Sequence, residues 1–110
     1  MKAYDLPAVA AAAVSAGHDR PAVAVVHDHA DARLVVFRIA AGQHVATHTS
    51  SSSVFLTVVS GSGFVIGGEG ERAVRAGDVL AFEPREPHGM RADGDELVIA
   101  AIIAPRPGGP

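Results

Sequence analysis

The stretch AGDVLAFEPREPHGM, Ala76–Met90, decides how this chain is read. It opens on a Gly-Asp turn, passes through a short apolar strand and meets a corner bounded by Pro84 and Pro87. It then delivers His88 onto the next strand. Proline fixes φ and lacks an N–H, so the backbone must bend there rather than continue a ladder. Upstream, GQHVATHTSSSSVFLTVVSG (Gly42–Gly61) brings a second set of histidines on a glycine-led segment. Strand-sized apolar runs separated by turn residues point to an antiparallel all-β fold with a pocket.

Working outward, strands are expected at 22–29, 34–40, 44–49, 54–60, 64–67, 71–75, 79–82, 88–92 and 96–104, with turns at 61–63, 67–68, 76–78 and 93–94. Glycine punctuation at this density belongs to a sandwich or barrel. Before the strands, residues 6–16 read as one short amphipathic helix. Asp5 can cap it, Pro7 sits in its first turn, Gly17 can end it, and Leu6, Val9, Ala10, Ala13 and Val14 share one face. Lys2 and the alanine-rich run give this segment some likeness to a secretory leader, but Asp5 interrupts the positive region such a leader needs, and a cytoplasmic location is the expectation. A single domain follows: helix, barrel over 22–104, and a proline-rich tail at 105–110 read as a frayed end or an arm lying on a partner.

Two strands are apolar on both faces. In 34–40, Val35, Phe37 and Ile39 share one side and Leu34 and Val36 the other, while 97–104 shows no alternation. An antiparallel strand with a wet face should alternate, so both need a cover. The helix can supply one and a second subunit the other, which makes a twofold homodimer the expected assembly. A net charge of −3, with one lysine and scattered arginines, offers no basic patch for nucleic acid. No apolar run approaches bilayer length, so no membrane partner is expected. The absence of cysteine excludes disulfides and thiolate chemistry.

On these segments the chain resembles the cupin family, whose members are small jelly-roll β-barrels. One family motif runs glycine, five residues, His-x-His, three or four residues, glutamate, six residues, glycine. Gly42, His48 and Gly61 match it, whereas Ser50 stands at the second histidine and Val54 at the glutamate. The second motif runs glycine, five residues, proline, one residue, glycine, two residues, histidine. Gly77 and His88 match it; Glu83 and Arg85 occupy the proline and glycine positions, with Pro84 shifted by one. The resemblance spans about residues 34–104 and implies an antiparallel jelly-roll barrel.

It also implies a divalent transition metal held inside the barrel by three histidines and a glutamate. Here two of the four ligand positions are gone, which leaves His48 and His88 as the metal candidates. Zinc sites generally use three or four protein ligands. His44 shares strand parity with His48, but four strand residues span about 13 Å, so only a bulge near Ala46 could bring it to the same ion. His27-Asp28-His29 is a literal His-x-His, yet it precedes the motif and is read as a polar strand end or dimer rim. His18 is read as solvated. The serines Ser50–Ser53 lack the glycines and helix start of a phosphate cradle and are read as a polar connection at the barrel mouth.

Three functions fit these residues. A metal-assisted enzyme, dioxygenase-like or isomerase-like, needs ligands the chain mostly lacks. A metal-free acid–base enzyme similar to the sugar epimerases of this fold needs an acid opposite a histidine, and the only tyrosine, Tyr4, lies outside the barrel. The third, preferred, is a module that binds a small and largely apolar molecule. Its pocket would be lined by Val54, Leu56 and Val58 by strand parity, with His44, His48, Ser50, His88 and Met90 as polar or soft contacts.

Overall fold

Gly61 and Gly63 do not turn the chain back; they let one long strand bend against another. In the computed structural model, which describes residues 1–107, β5 (Ser53–Gly67) and β8 (His88–Ala104) each run unbroken where two strands and a turn were expected. They pair antiparallel in two blocks: residues 53–61 of β5 with 97–104 of β8, and 63–67 with 88–92. Between the blocks β8 sends out Asp93–Glu96 against the single Ser62 of β5. A Cβ on Gly61 would lie 1.8 Å from the Glu96 carbonyl oxygen, and one on Gly63 would lie 2.5 Å from that of Arg91. Gly61 also has φ +77°, so glycine is required there both by space and by backbone conformation.

The bend folds one eight-stranded antiparallel system into two layers. The first layer has the order β1 (Val14–Ser15), β2 (Ala22–Asp28), β3 (Arg33–Ile39), the second half of β8, the first half of β5, and β7 (Val79–Phe82). The second has β4 (His44–His48), the first half of β8, the second half of β5, and β6 (Gly70–Arg75). Ile39, Leu56, Val58, Val65, Val74, Met90, Leu97 and Ile99 from both layers fill one buried core. The jelly-roll architecture is as expected, except that the strands do not close into a continuous hydrogen-bonded barrel: β6 and β7 each pair with β5 but not with one another.

The helix α1 (Leu6–Ala12) begins as expected, with Asp5 accepting the Ala8 N–H at 3.2 Å, but stops four residues before the expected end because Val14 and Ser15 join the sheet beside β2. Arg38 reaches from β3 to the helix C-terminus, donating to the Ala10 carbonyl at 2.9 Å and the Ala13 carbonyl at 3.0 Å. Carbonyls left over at a helix end are thereby satisfied by a cation. Ala10, Leu6 and Val9 pack on Val36 of β3 and on Val98 and Ala100 of β8. The helix thus covers the second apolar face of both doubly apolar strands, a task the sequence reading divided between helix and second subunit. Ile102 lies beyond its reach and is 43% exposed.

The tail, read as frayed or lying on a partner, is tied to its own chain through Pro105 and Arg106; residues 108–110 lie outside the described part. Ser52, buried, donates from Oγ to the Pro105 carbonyl at 2.6 Å. Arg106 and Arg33 both donate to the Asp28 carboxylate, which holds its pKa down to about 2. No helix among the described residues is long and apolar enough to cross a membrane.

The tight approach at the bend gives a direct test. Gly61→Ala should lower Tm by roughly 10–20 °C, since the new methyl meets backbone that cannot retreat without parting β5 from β8. A thermal melt within two degrees of the parent protein would contradict this account of the bend.

Candidate functional site

The corner Glu83–Pro87 sets His88 at the start of β8, as the prolines imply. Its turn is fixed by the Glu86 N–H donating to the Glu83 carbonyl at 3.1 Å, by the Glu83 N–H donating to the Glu86 carboxylate at 2.9 Å, and by the Arg85 N–H donating to the Ser50 carbonyl at 2.7 Å. Arg85 has φ +71°, a conformation uncommon outside glycine and held here by those bonds. His88 emerges 3% exposed.

His48 arrives opposite it through an irregularity in β4. Val45 pairs with Met90 and His48 with His88, so Ala46 and Thr47 together oppose the single residue Gly89. This β-bulge changes the parity of the strand. Val45 and His48 share the side of Met90 and His88, with Val45 against the core and His48 exposed at the end of the strand, whereas His44 pairs with Arg91 on the other side. The bulge that was to bring His44 toward His48 separates them onto opposite faces, and His44 drops out of the pocket assigned to it.

The His48 and His88 rings lie with centroids 4.3 Å apart at 63°. Each ring is oriented by its own backbone: His48 Nδ1 bonds the Ala46 carbonyl at 2.9 Å, and His88 Nδ1 the Glu86 carbonyl at 3.0 Å. A carbonyl can only accept, so the proton of each neutral ring sits on Nδ1 and Nε2 carries the lone pair. Among the described residues no sealed side-chain nitrogen or oxygen lacks a hydrogen-bond partner. The Nε2 atoms are therefore free acceptors rather than buried, unsatisfied ones.

The other expected pocket residues have different duties. Val54, Leu56, Val58 and Met90 are each at most 2% exposed and pack into the core, so they do not wall an open hollow. Ser50 turns its Oγ back to accept the Ser52 N–H at 3.1 Å. Missing from the sequence reading is Phe82, whose ring lies 5.2 Å from that of His88; its place in the apolar run 79–82 gave no sign of that contact. His27 and His29 stay at a polar strand end, His27 bonded to the Tyr4 hydroxyl at 2.8 Å and His29 beside Asp31. His18 is exposed.

The donor set does not fit the metal centre that the fold implies. Two imidazoles converge, Val54 fills the glutamate position with hydrocarbon, and no group of three or more His, Cys, Asp or Glu side chains able to hold an ion occurs among the described residues. What opens beside the imidazoles is instead the seam left where β6 and β7 do not pair. A cleft of about 780 Å³ lies there, lined among others by Val65, Leu80, Phe82, Glu86 and Pro87. Phe82 lines the cleft and is also the ring that lies against His88.

A two-layered antiparallel jelly roll with histidines at the start of β8 and on β4 defines the class of protein, and comparison with known proteins agrees. The family model described as "Cupin domain" matches residues 35–104. The chain belongs to the cupin family. Among solved structures it is similar to an RmlC-like cupin protein from Desulfovibrio desulfuricans, at 29% identity over 96% of this chain and 97% of that one, with a TM-score of 0.80. An uncharacterised Klebsiella pneumoniae protein with a double-stranded β-helix domain matches at 23% identity over 99% and 94%, TM-score 0.83. TT1209 from Thermus thermophilus matches at 21% identity over 97% and 100%, TM-score 0.84. No curated protein matches.

The bulge that places His48 depends on Gly89, where a Cβ would come within 2.9 Å of Thr47 Oγ1 and 3.0 Å of the Thr47 nitrogen and the Val45 oxygen. Gly89→Ala should push β4 outward, lower stability by about 1–2 kcal/mol and weaken the nuclear Overhauser contacts between the two imidazoles. Retention of those contacts at full strength would show that β4 is placed by something else.

Proposed function

We propose that this cupin domain binds a small, largely apolar molecule beside the His48–His88 pair, and that it works as a homodimer. The observation that carries the first part is the pair of Nε2 lone pairs, held in one orientation by backbone carbonyls and set next to the cleft that Phe82 helps to line. The cleft combines the apolar Val65, Leu80 and Phe82 with the charged Glu69, Glu71, Arg72 and Glu86, and apolar walls with placed polar groups suit recognition of a small ligand. Because both Nε2 atoms accept, the group that faces them must donate, so the ligand presents a hydroxyl or an N–H.

Support for a second copy comes from the free edge of the first layer. β1 covers only Ala22 and Val23 of β2, which leaves the backbone beyond them unpaired. Val23 and Val25 pair with Phe37 and Val35, on the core-facing side of the layer, yet are 45% and 57% exposed; Val14 beside them is 79% exposed. An unpaired edge with an apolar row is a template for another strand, and twofold pairing of β2 with its copy satisfies both.

Benzyl alcohol, a ring carrying one hydroxyl, serves as the probe for the first part. Titration should move the ¹⁵N resonances of Nε2 in both His48 and His88, and binding should weaken about tenfold in His48→Ala and in His88→Ala. Unmoved resonances, or equal binding in both folded variants, would remove the site. For the assembly, light scattering should give twice the 11.2 kDa chain mass, and Val25→Lys should return it to a single chain. A monomer at all concentrations would refute the pairing.

A further inference from the structure

Arg72 sits in the open seam with its charge uncommitted. It pairs with the buried Val65, and by the two-residue period of a strand it shares a side with the buried Val74, so it stands on the core-facing side of β6, where it is nevertheless exposed. Because β7 does not pair with β6, that position stays open among the described residues, and Arg72 lines the 780 Å³ cleft together with Leu80 and Phe82. The arginines that form ion pairs among the described residues are Arg33, Arg38, Arg91 and Arg106. Arg72 is not one of them.

The carboxylates around the cleft are largely spoken for. Glu71 is held by Arg91 through bonds of 2.7 and 2.9 Å, which keep its carboxyl below the ordinary value. Glu86 accepts the Glu83 N–H. Glu69, exposed at the turn between β5 and β6, is the remaining one. The cleft therefore joins an apolar floor to a guanidinium whose planar fork matches a carboxylate.

We infer that the seam between β6 and β7 is a carboxylate-binding subsite, with Arg72 holding the carboxylate of a small aromatic or short aliphatic acid whose body lies on Leu80 and Phe82. This rests on the small-molecule reading above and narrows its ligand to a molecule that carries an acid group at the end away from the imidazoles. Arg72 fixes the orientation of the ligand, and the Nε2 atoms meet its donor-bearing end.

The test compares two probes that differ in charge. 4-(Hydroxymethyl)benzoate, which keeps the hydroxyl and adds the carboxylate, should bind the parent protein about tenfold or more tightly than benzyl alcohol. Arg72→Gln should abolish that preference while leaving benzyl alcohol binding unchanged, and Arg72→Lys should retain part of it. Equal affinity of the parent protein for the two probes overturns the inference, and so does a preference that persists in folded Arg72→Gln. Failure of the broader reading looks different: benzyl alcohol then leaves both imidazoles unmoved in the parent protein itself. A thermal melt of each variant separates lost binding from lost fold.

Discussion

The antiparallel contact between β5 and β8 is the constraint on which the rest of this molecule depends. Each strand belongs to both layers, so the two layers are joined by continuous backbone as well as by core packing. The joint works because β5 carries glycine where β8 carbonyls come closest, at Gly61 and Gly63. The bend directs Leu56 and Val58 from one side and Val65 and Met90 from the other into the same apolar volume. Burial of apolar surface stabilises the sandwich, but only after the bend has aimed those side chains at one another.

The site is a consequence of two smaller irregularities on that frame. One is the corner with Arg85 in the left-handed region, which starts β8 at His88. The other is the extra residue of β4 opposite Gly89, which puts the exposed His48 on the same side as the buried His88. Neither histidine is oriented by a charged partner. Both are held by carbonyls two residues before them in the chain, so the accepting face of each ring is a property of local backbone. Two accepting nitrogens are thereby presented without an acidic side chain beside either ring.

Much of this was legible in the residues. Pro84 and Pro87 marked the corner, β7 runs over the expected 79–82, and Asp5 with Pro7 marked the helix start. The spacing of Gly42, His48, Gly61, Gly77 and His88 carried the family. What was not legible has physical causes. Gly-Ser-Gly at 61–63 is as compatible with a bend within a strand as with a reversal, because glycine permits both. A bulge has no fixed signature, so the parity of His44 could not be read from its distance to His48. Val54, Leu56 and Val58 lie on the inner side as expected, but alternation reports only the side and says nothing about whether it faces a void or packed neighbours. The apolar second faces of β3 and β8 demanded a cover without naming it, and the helix proved sufficient for most of both.

Arg38 has a role that extends beyond its two bonds. A helix of seven residues is too short to persist in water on its own, since nucleation consumes most of what its few internal bonds return. It exists because a guanidinium from β3 collects its final carbonyls while Ala10 settles on Val36. The N-terminal segment is therefore not a prefabricated piece that docks onto a finished sheet. It acquires its shape from the surface it lands on, so order at this end of the chain follows order in the strands beneath it.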